Sequence, residues 1–259
     1  MLIIILSIFI KLFFTQRRGI TAFQCHYYKQ KKMNDIGNKT IDVRSISCFN
    51  HLNEIELDAF VEILQNVSFK KYQYAYMQGC SSDGFYLLAK GMVKTGHIHK
   101  DGKEVIQSFY HAPTIFGECA MIDNGIRQHY SQILSKESRV YFISLQDYEN
   151  LAVFFPAISK GLIKFLAGRI MKAEHRLDDI MSKDAKTRVL DFIKNSTRDF
   201  GRKVGFEIEV LNPLTQQDIA SFTGTSRQTV AQVFFDLKKS NSVLFNRRSF
   251  LVKDLTLLY

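Results

Sequence analysis

Leu214–Asn241 reads LTQQDIASFTGTSRQTVAQVFFDLKKSN, two short helical patterns joined at a single glycine. Thr215 stands where its hydroxyl can accept from the backbone of a first helix running through Gln216, Gln217, Asp218, Ile219, Ala220 and Ser221. Asp218, three residues on, strengthens that cap and suits the positive end of the helix dipole. Gly224 supplies a tight turn, and Thr225 is expected to cap the second helix, with Gln228 completing a capping box. In that second helix Val230, Val233, Phe234 and Leu237 recur at the spacing of one buried face. The opposite face carries Arg227, Gln228, Gln232 and Lys238. Long polar side chains near a helix start can reach base edges in a major groove, where Arg pairs with guanine and Gln with adenine. With Thr215, Gln216, Thr225 and Ser226 at the two helix starts, these form the candidate DNA-contacting set. An ordinary core hairpin would leave the two caps, the glycine turn and the polar outer face without a purpose.

The surrounding chain of 259 residues is long enough for two domains, each with its own core. Its net charge is +10, and the excess sits at the ends. Residues 1–33 hold Lys11, Arg17, Arg18, Lys29, Lys31 and Lys32 and no acid. Residues 34–183 balance, with 17 basic and 17 acidic side chains, and residues 184–259 hold 12 basic against 8 acidic, a net +4. A modestly basic C-terminal module fits phosphate contact. Cys25, Cys48, Cys80 and Cys119 match no zinc or iron–sulfur spacing, so they read as free thiols of a reducing cytoplasm. No cofactor or metal is expected. No Ser-His-Asp, P-loop or metal-hydrolase spacing appears, and an enzyme is not expected.

Met1–Phe14 is almost wholly apolar but is interrupted by Lys11 and falls short of the roughly 20 residues that span a bilayer. Its positive charges follow the apolar run, unlike those of a signal peptide. Three readings stay open: a start codon placed too early, with Met33 the true start; a membrane anchor with Arg17 and Arg18 on the cytoplasmic side; and a segment that packs on the protein.

Between the ends, His51–Asn66 has a helical pattern of Leu52, Ile55, Leu57, Phe60, Ile63 and Leu64. Short β-branched or aromatic runs follow at Tyr72–Tyr76, Phe85–Leu88, Met92–His97, Val105–Phe109, Tyr130–Leu134 and Val140–Ile143. Gln78-Gly79, Asp83-Gly84, Lys90-Gly91, Asp101-Gly102, Ala112-Pro113 and Asn124-Gly125 mark turns between them, a spacing that predicts an antiparallel roll or barrel. Pro156 opens a helix in which Leu166, Ile170, Ala173, Leu177 and Ile180 form a seam about two heptads long, read as a dimer helix. A hinge is expected about Met181–Asp184, then a helix with Val189, Leu190, Phe192 and Ile193, a turn over Gly201–Gly205, a strand over Phe206–Val210, and a hairpin around Asn246-Arg247-Arg248.

The quoted segment resembles the helix-turn-helix of the Crp/Fnr regulator family through Leu214, Thr215, Asp218, Ile219, Ala220, Gly224, Ser226, Arg227, Thr229, Val230 and Leu237. The resemblance extends over about His51–Tyr259, through Gln78-Gly79, Tyr86-Leu87-Leu88, Lys90-Gly91-Met92-Val93, Asp101-Gly102-Lys103-Glu104 and Phe116-Gly117-Glu118. It implies an α+β chain: an N-terminal antiparallel β-roll (double-stranded β-helix or jelly-roll) sensor over 34–157, a dimerisation helix and hinge over 158–183, and a winged helix-turn-helix over 184–259. Residues 1–33 are an extension with no counterpart. The resemblance also implies a cytoplasmic homodimer formed through 158–181, a pseudo-palindromic double-stranded DNA site, RNA polymerase as a partner, and a small-molecule effector whose identity is open.

Two departures fall where the family reads bases. Gln228 replaces the usual Glu and Gln232 the second Arg, so a different half-site is expected. Other departures fall in the effector pocket, whose candidate residues are Gly117, Glu118, Cys119, Arg127, Gln128, His129, Ala173 and Glu174. Gly117-Glu118 match the family's nucleotide-binding pair, but Gln128-His129 stand where Arg-Ser or Arg-Thr belongs, and Ala173-Glu174 where Thr-Ser belongs. Arg127 lies one residue early, which on a strand points it to the opposite face unless the preceding loop is bulged. Cyclic-nucleotide binding is therefore the alternative and not the leading expectation. A membrane-tethered regulator is a further alternative. Glu118 has a second reading, as a brace of the short pocket helix. His97 and His99 share a strand face at a spacing compatible with a metal or haem, but with His111 and His129 they read as exposed histidines near hairpin ends.

Overall fold

A computed structural model describes residues 37–122, 125–246 and 249–253. The three readings of Met1–Phe14 and the Arg247-Arg248 tip of the last hairpin lie outside the described residues. The chain divides into two units, Met1–Ile41 and Asp42–Tyr259. In the first, residues 37–41 are helical; the second begins on helical residues 42–45.

The second unit continues with α1 (Glu54–Glu62), where Asn53 and Glu56 form a reciprocal capping box. This helix is shorter than the expected His51–Asn66, because Gln65–Val67 leave the helical pattern to form strand β1. The roll then runs through β2 (Tyr74–Tyr76), β3 (Gly84–Lys90), β4 (Met92–Ile98), β5 (Glu104–His111), β6 (Thr114–Phe116), β7 (Tyr130–Ile133) and β8 (Arg139–Ser144). Its two four-stranded sheets have the orders β1-β8-β3-β6 and β2-β7-β4-β5 and pair antiparallel throughout. Tyr86, Leu88, Val93, Phe116, Ile133 and Val140 meet as a buried cluster drawn from both sheets.

The β4–β5 ladder contains an irregularity. Thr95 pairs with Ser108 but Gly96 with Ile106, so Gln107 is an extra residue on β5. A Cβ on Gly96 would lie 2.4 Å from the Val105 carbonyl oxygen, so only glycine fits beside the bulge.

Helix α2 (Leu145–Phe154), which the pattern analysis missed, leads into α3 (Pro156–Ser182), with Pro156 in its first turn as expected. Ile170, Leu177 and Ile180 of the heptad seam are 60%, 58% and 45% exposed in the single chain. Lys183 is extended and ends α3, and Asp184 caps α4 (Ala185–Phe200), which places the break in the expected hinge. Beyond it lie β9 (Arg202–Val204), β10 (Glu207–Leu211), α5 (Gln216–Thr223), α6 (Arg227–Lys239), β11 (Val243–Phe245) and β12 (Ser249–Val252). The expected Gly201–Gly205 turn is largely strand β9, turning to β10 at Gly205. Val189, Ile193, Val210, Ile219, Val230, Val233 and Phe250 are among the residues of one core shared by these helices and the β11-β12-β10-β9 sheet.

Candidate nucleic-acid interface and sensor pocket

Thr215 caps α5 as expected: its hydroxyl accepts from the Asp218 amide at 3.1 Å, and the Asp218 carboxylate accepts from the Thr215 amide at 2.8 Å. The second cap differs from expectation. Ser226, not Thr225, starts α6 and accepts from the Thr229 amide at 3.0 Å. The Thr225 amide is already used: it donates to the Ala220 carbonyl at 3.0 Å to close α5 around Gly224, whose φ is +62°. That is a Schellman-type ending, and it moves the next helix start one residue on. Two arginines complete the same helix end. Arg188 of α4 donates to the Thr223 carbonyl at 2.8 Å and the Gly224 carbonyl at 3.0 Å, and Arg176 of α3 donates to the Phe222 carbonyl at 2.6 Å. Cations at a helix C-terminus are favoured by its partial negative charge.

Val230, Val233 and Leu237 of α6 are buried, so the face that carries Arg227, Gln228, Gln232 and Lys238 is turned outward, and all four are exposed. Thr215 and Ser226 are exposed, and Gln216 and Thr225 half-buried. The Gln232 amide donates to Asp236 at 2.8 Å, which holds it along the helix.

Helix α5 also docks on the sensor. The Lys94 ammonium on β4 lies 3.0 Å from Asp218 and 3.0 Å from Glu104. The Ser221 hydroxyl accepts from the Ile106 amide at 3.0 Å and donates to the Glu104 carbonyl at 3.1 Å, filling backbone groups freed at the β5 bulge. Arg176 takes the Gln107 and Ile106 carbonyls of the same bulge, and its guanidinium lies 4.1 Å over the Phe222 ring. Sequence reasoning missed this socket, since nothing local to Lys94, Ser221 or Arg176 announces a partner more than 40 residues away.

In the sensor, Gly117 adopts φ +76° and opens a short turn of 3-10 helix at Glu118–Met121 that includes the half-buried Cys119. Glu118 pairs with Arg169 of α3, so the bracing reading describes its contact. Arg127 lies in a loop and not on a strand. It precedes β7 and is held in a loop by backbone bonds of 2.8 Å with Gly79 and Cys80, so the alternation of a strand does not govern it. Its side chain, 2% exposed, donates to the Gly117 carbonyl at 2.9 Å and to the Gly84 carbonyl, and lies 4.2 Å over the Tyr76 ring. Tyr76 stacks in turn with Tyr86 and Phe116, and burial pushes the Tyr76 hydroxyl well above the ordinary phenol range. Gln128 is exposed and His129 half-buried beside this group, whereas Ala173 and Glu174 are exposed on α3. Tyr76, Tyr86, Phe116 and Arg169 were not among the expected pocket residues; their aromatic and cationic chemistry is diffuse in the sequence and becomes a cluster only through sheet pairing.

The sequence matches the cyclic nucleotide-binding domain over residues 66–153 and the Crp-like helix-turn-helix domain over 187–259. It is 26% identical over 206 residues to a CRP-like cAMP-activated global transcriptional regulator of Mycobacterium tuberculosis, covering 80% of this chain and 92% of that one. It is 25% identical over 213 residues to the cyclic AMP receptor protein of Thermus thermophilus, covering 81% and 94%. FixK2 from Bradyrhizobium japonicum shares the fold with a TM-score of 0.66, at 19% identity over 76% of this chain and 96% of that one. With a β-roll, a long connecting helix and a winged helix-turn-helix in this order, the chain belongs to the Crp/Fnr family of DNA-binding transcription regulators.

Proposed function

We propose that this regulator works as a homodimer joined through 158–181, in the cytoplasm, without enzymatic activity, presenting two copies of α6 to successive major grooves of a pseudo-palindromic site. On this reading an extension to residue 33 precedes the sensor over 34–157, the dimer helix and hinge over 158–183, and the DNA-binding domain over 184–259. The observation that carries the reading is the outward face of α6, where Arg227 and Gln228 stand exposed at the helix start above a buried Val230-Val233-Leu237 stripe. Arg227 contacts guanine or phosphate, Gln228 and Gln232 favour adenine, and Thr215, Gln216, Thr225, Ser226 and Lys238 hold the backbone. The exposed Ile170, Leu177 and Ile180 support pairing with a second copy. Among the described residues no single helix is long and apolar enough to cross a membrane. RNA polymerase is the partner through which bound protein alters transcription.

An effector acts by shifting α3 and the hinge between DNA-competent and incompetent arrangements. The socket on β5 supports this route, because Arg176 touches the sensor and α5 at once. Electrophoretic mobility shift on a selected operator tests the reading: Arg227→Ala lowers affinity, and unchanged binding refutes its role.

A cyclic-nucleotide effector is the second reading, favoured by one observation. Arg127 lies beside Gly117, where a phosphate needs a cation, with its Nε buried and unpartnered. Against it stand the exposed Gln128 and Glu174. Calorimetric titration with cyclic AMP and cyclic GMP separates the two: saturable micromolar binding establishes the second reading, and its absence leaves the pocket to another effector or to none.

A further inference from the structure

His97 and His99, at the end of the β2-β7-β4-β5 sheet, are used by neither DNA contact nor the Arg127 pocket. His97 is the penultimate residue of β4 and His99 follows the strand's last residue, Ile98, and the two rings meet on one side of the chain. Their Nε2 atoms lie 2.9 Å apart. Two metal–nitrogen bonds of about 2.05 Å separate their nitrogens by about 2.9 Å at the right angle of an octahedral shell and by about 3.3 Å at a tetrahedral angle, so the rings need open by no more than a few tenths of an ångström to share a cation. Gly96 pairs with Tyr130 across β4 and β7, so His97 and His129 are the next cross-strand neighbours, and their rings are 6.4 Å apart. The backbone beneath is fixed: the His99 amide donates to the Lys103 carbonyl at 3.0 Å, the Gly102 amide to the His99 carbonyl at 2.9 Å, and the Ile98 amide to the Gln78 side chain at 3.1 Å. His97 is on the face of β4 that also carries the buried Val93 and Thr95, so the group lies at the open end of the roll's inner face.

Against the expectation of no metal, we propose that His97 and His99 chelate a divalent transition cation of the zinc or nickel type, with His129 as third ligand and water completing the shell. Imidazole suits such borderline ions, and a His-X-His pair on a strand supplies two donors at little cost in ordering. Among the described residues no three ligating side chains converge as placed. The site is thus a preformed pair, and His129 joins it by turning about its side-chain bonds. The proposal concerns binding and does not depend on which effector occupies the Arg127 pocket.

The test is titration of the tag-free full chain with Zn²⁺ by calorimetry and with Co²⁺ by visible absorption. The expected result is one cation per chain, bound at least tenfold more weakly by the double variant His97→Ala, His99→Ala and several-fold more weakly by His129→Ala. His175→Ala, on the exposed face of α3, binds as the wild type does. Circular dichroism of each variant separates lost binding from lost fold. Equal affinity in the double variant, no saturable binding by the wild type, or a thiolate-to-cobalt band placing the ion on Cys80 or Cys119 overturns the proposal. An unchanged His129→Ala overturns the third ligand.

Discussion

Lys94 on sensor strand β4 and Asp218 at the start of the first helix of the helix-turn-helix form an ion pair of 3.0 Å across 124 residues of sequence. Both side chains are nearly buried, at 10% and 13% exposure. Partners left behind by a buried charge carry its desolvation cost. Here Asp218 keeps its bonds to Thr215, which limits the loss. Lys94→Met is expected to reduce protection of the α5 amides against hydrogen exchange by about 1–3 kcal/mol, chiefly by loosening the two domains. Unchanged protection would mean that the Ser221 and Arg176 contacts alone hold the socket.

The outward face of α6, proposed to read bases, makes a separable prediction. Arg227→Ala is expected to cost about 1–3 kcal/mol of specific DNA affinity, with thermal stability within about 0.5 kcal/mol of wild type, since the side chain is exposed. Gln228→Glu exchanges an amide for an acceptor-only group and should shift preference at one position from adenine toward cytosine. Selection from a randomised duplex pool by both proteins measures this; identical preferences would remove Gln228 from the base-reading set.

The proposed dimer is joined through the outward seam of α3. Ile170→Glu with Leu177→Glu places two carboxylates where each chain would otherwise bury apolar surface, about 1.5–3 kcal/mol for each fully buried residue. Sedimentation should show a monomer at concentrations where the wild type is a dimer, with operator binding weakened at least tenfold. A dimer that survives both changes would move the interface elsewhere.

His111 supplies a pH dependence. It stacks on Phe200 with ring centroids 3.6 Å apart, and burial lowers its imidazole to about 4 from an ordinary 6.5. Between these values the unfolded chain binds the proton more readily, so stability increases as pH rises through this window and falls again on acidification. Allowing for partial exposure, the contribution is on the order of 2 kcal/mol. Denaturant unfolding from pH 4 to 7.5 should show a shallower dependence in His111→Phe, and an equal slope would exclude this residue as its source.

How much of this was legible beforehand varied with the range of the interaction. The Thr215 cap, the Gly224 turn and the Val230-Val233-Leu237 stripe depend on residues within four positions of one another, and the helix-turn-helix emerged nearly intact. Its second cap was displaced by one residue, because Thr225 is consumed by the helix before it. Strands with alternating or continuous apolar runs were visible, but β1, β6 and β9 are only three residues each, too short for a pattern. Arg127 shows the limit most clearly. Strand alternation does not govern a residue in a loop, and the Gly79 and Cys80 backbone bonds that fix its position come from a distant segment of the chain. The β5 bulge that receives Ser221 and Arg176 depends on a register shift against β4, which no local pattern encodes.

The most direct test of the account is selection of bound duplexes from a random pool by the full chain, repeated with Arg227→Ala. An inverted repeat with half-sites about 10–10.5 base pairs apart, centre to centre, is expected, with loss of enrichment in the variant. Enrichment of no sequence, or of the same repeat by Arg227→Ala as strongly as by the wild type, would contradict it.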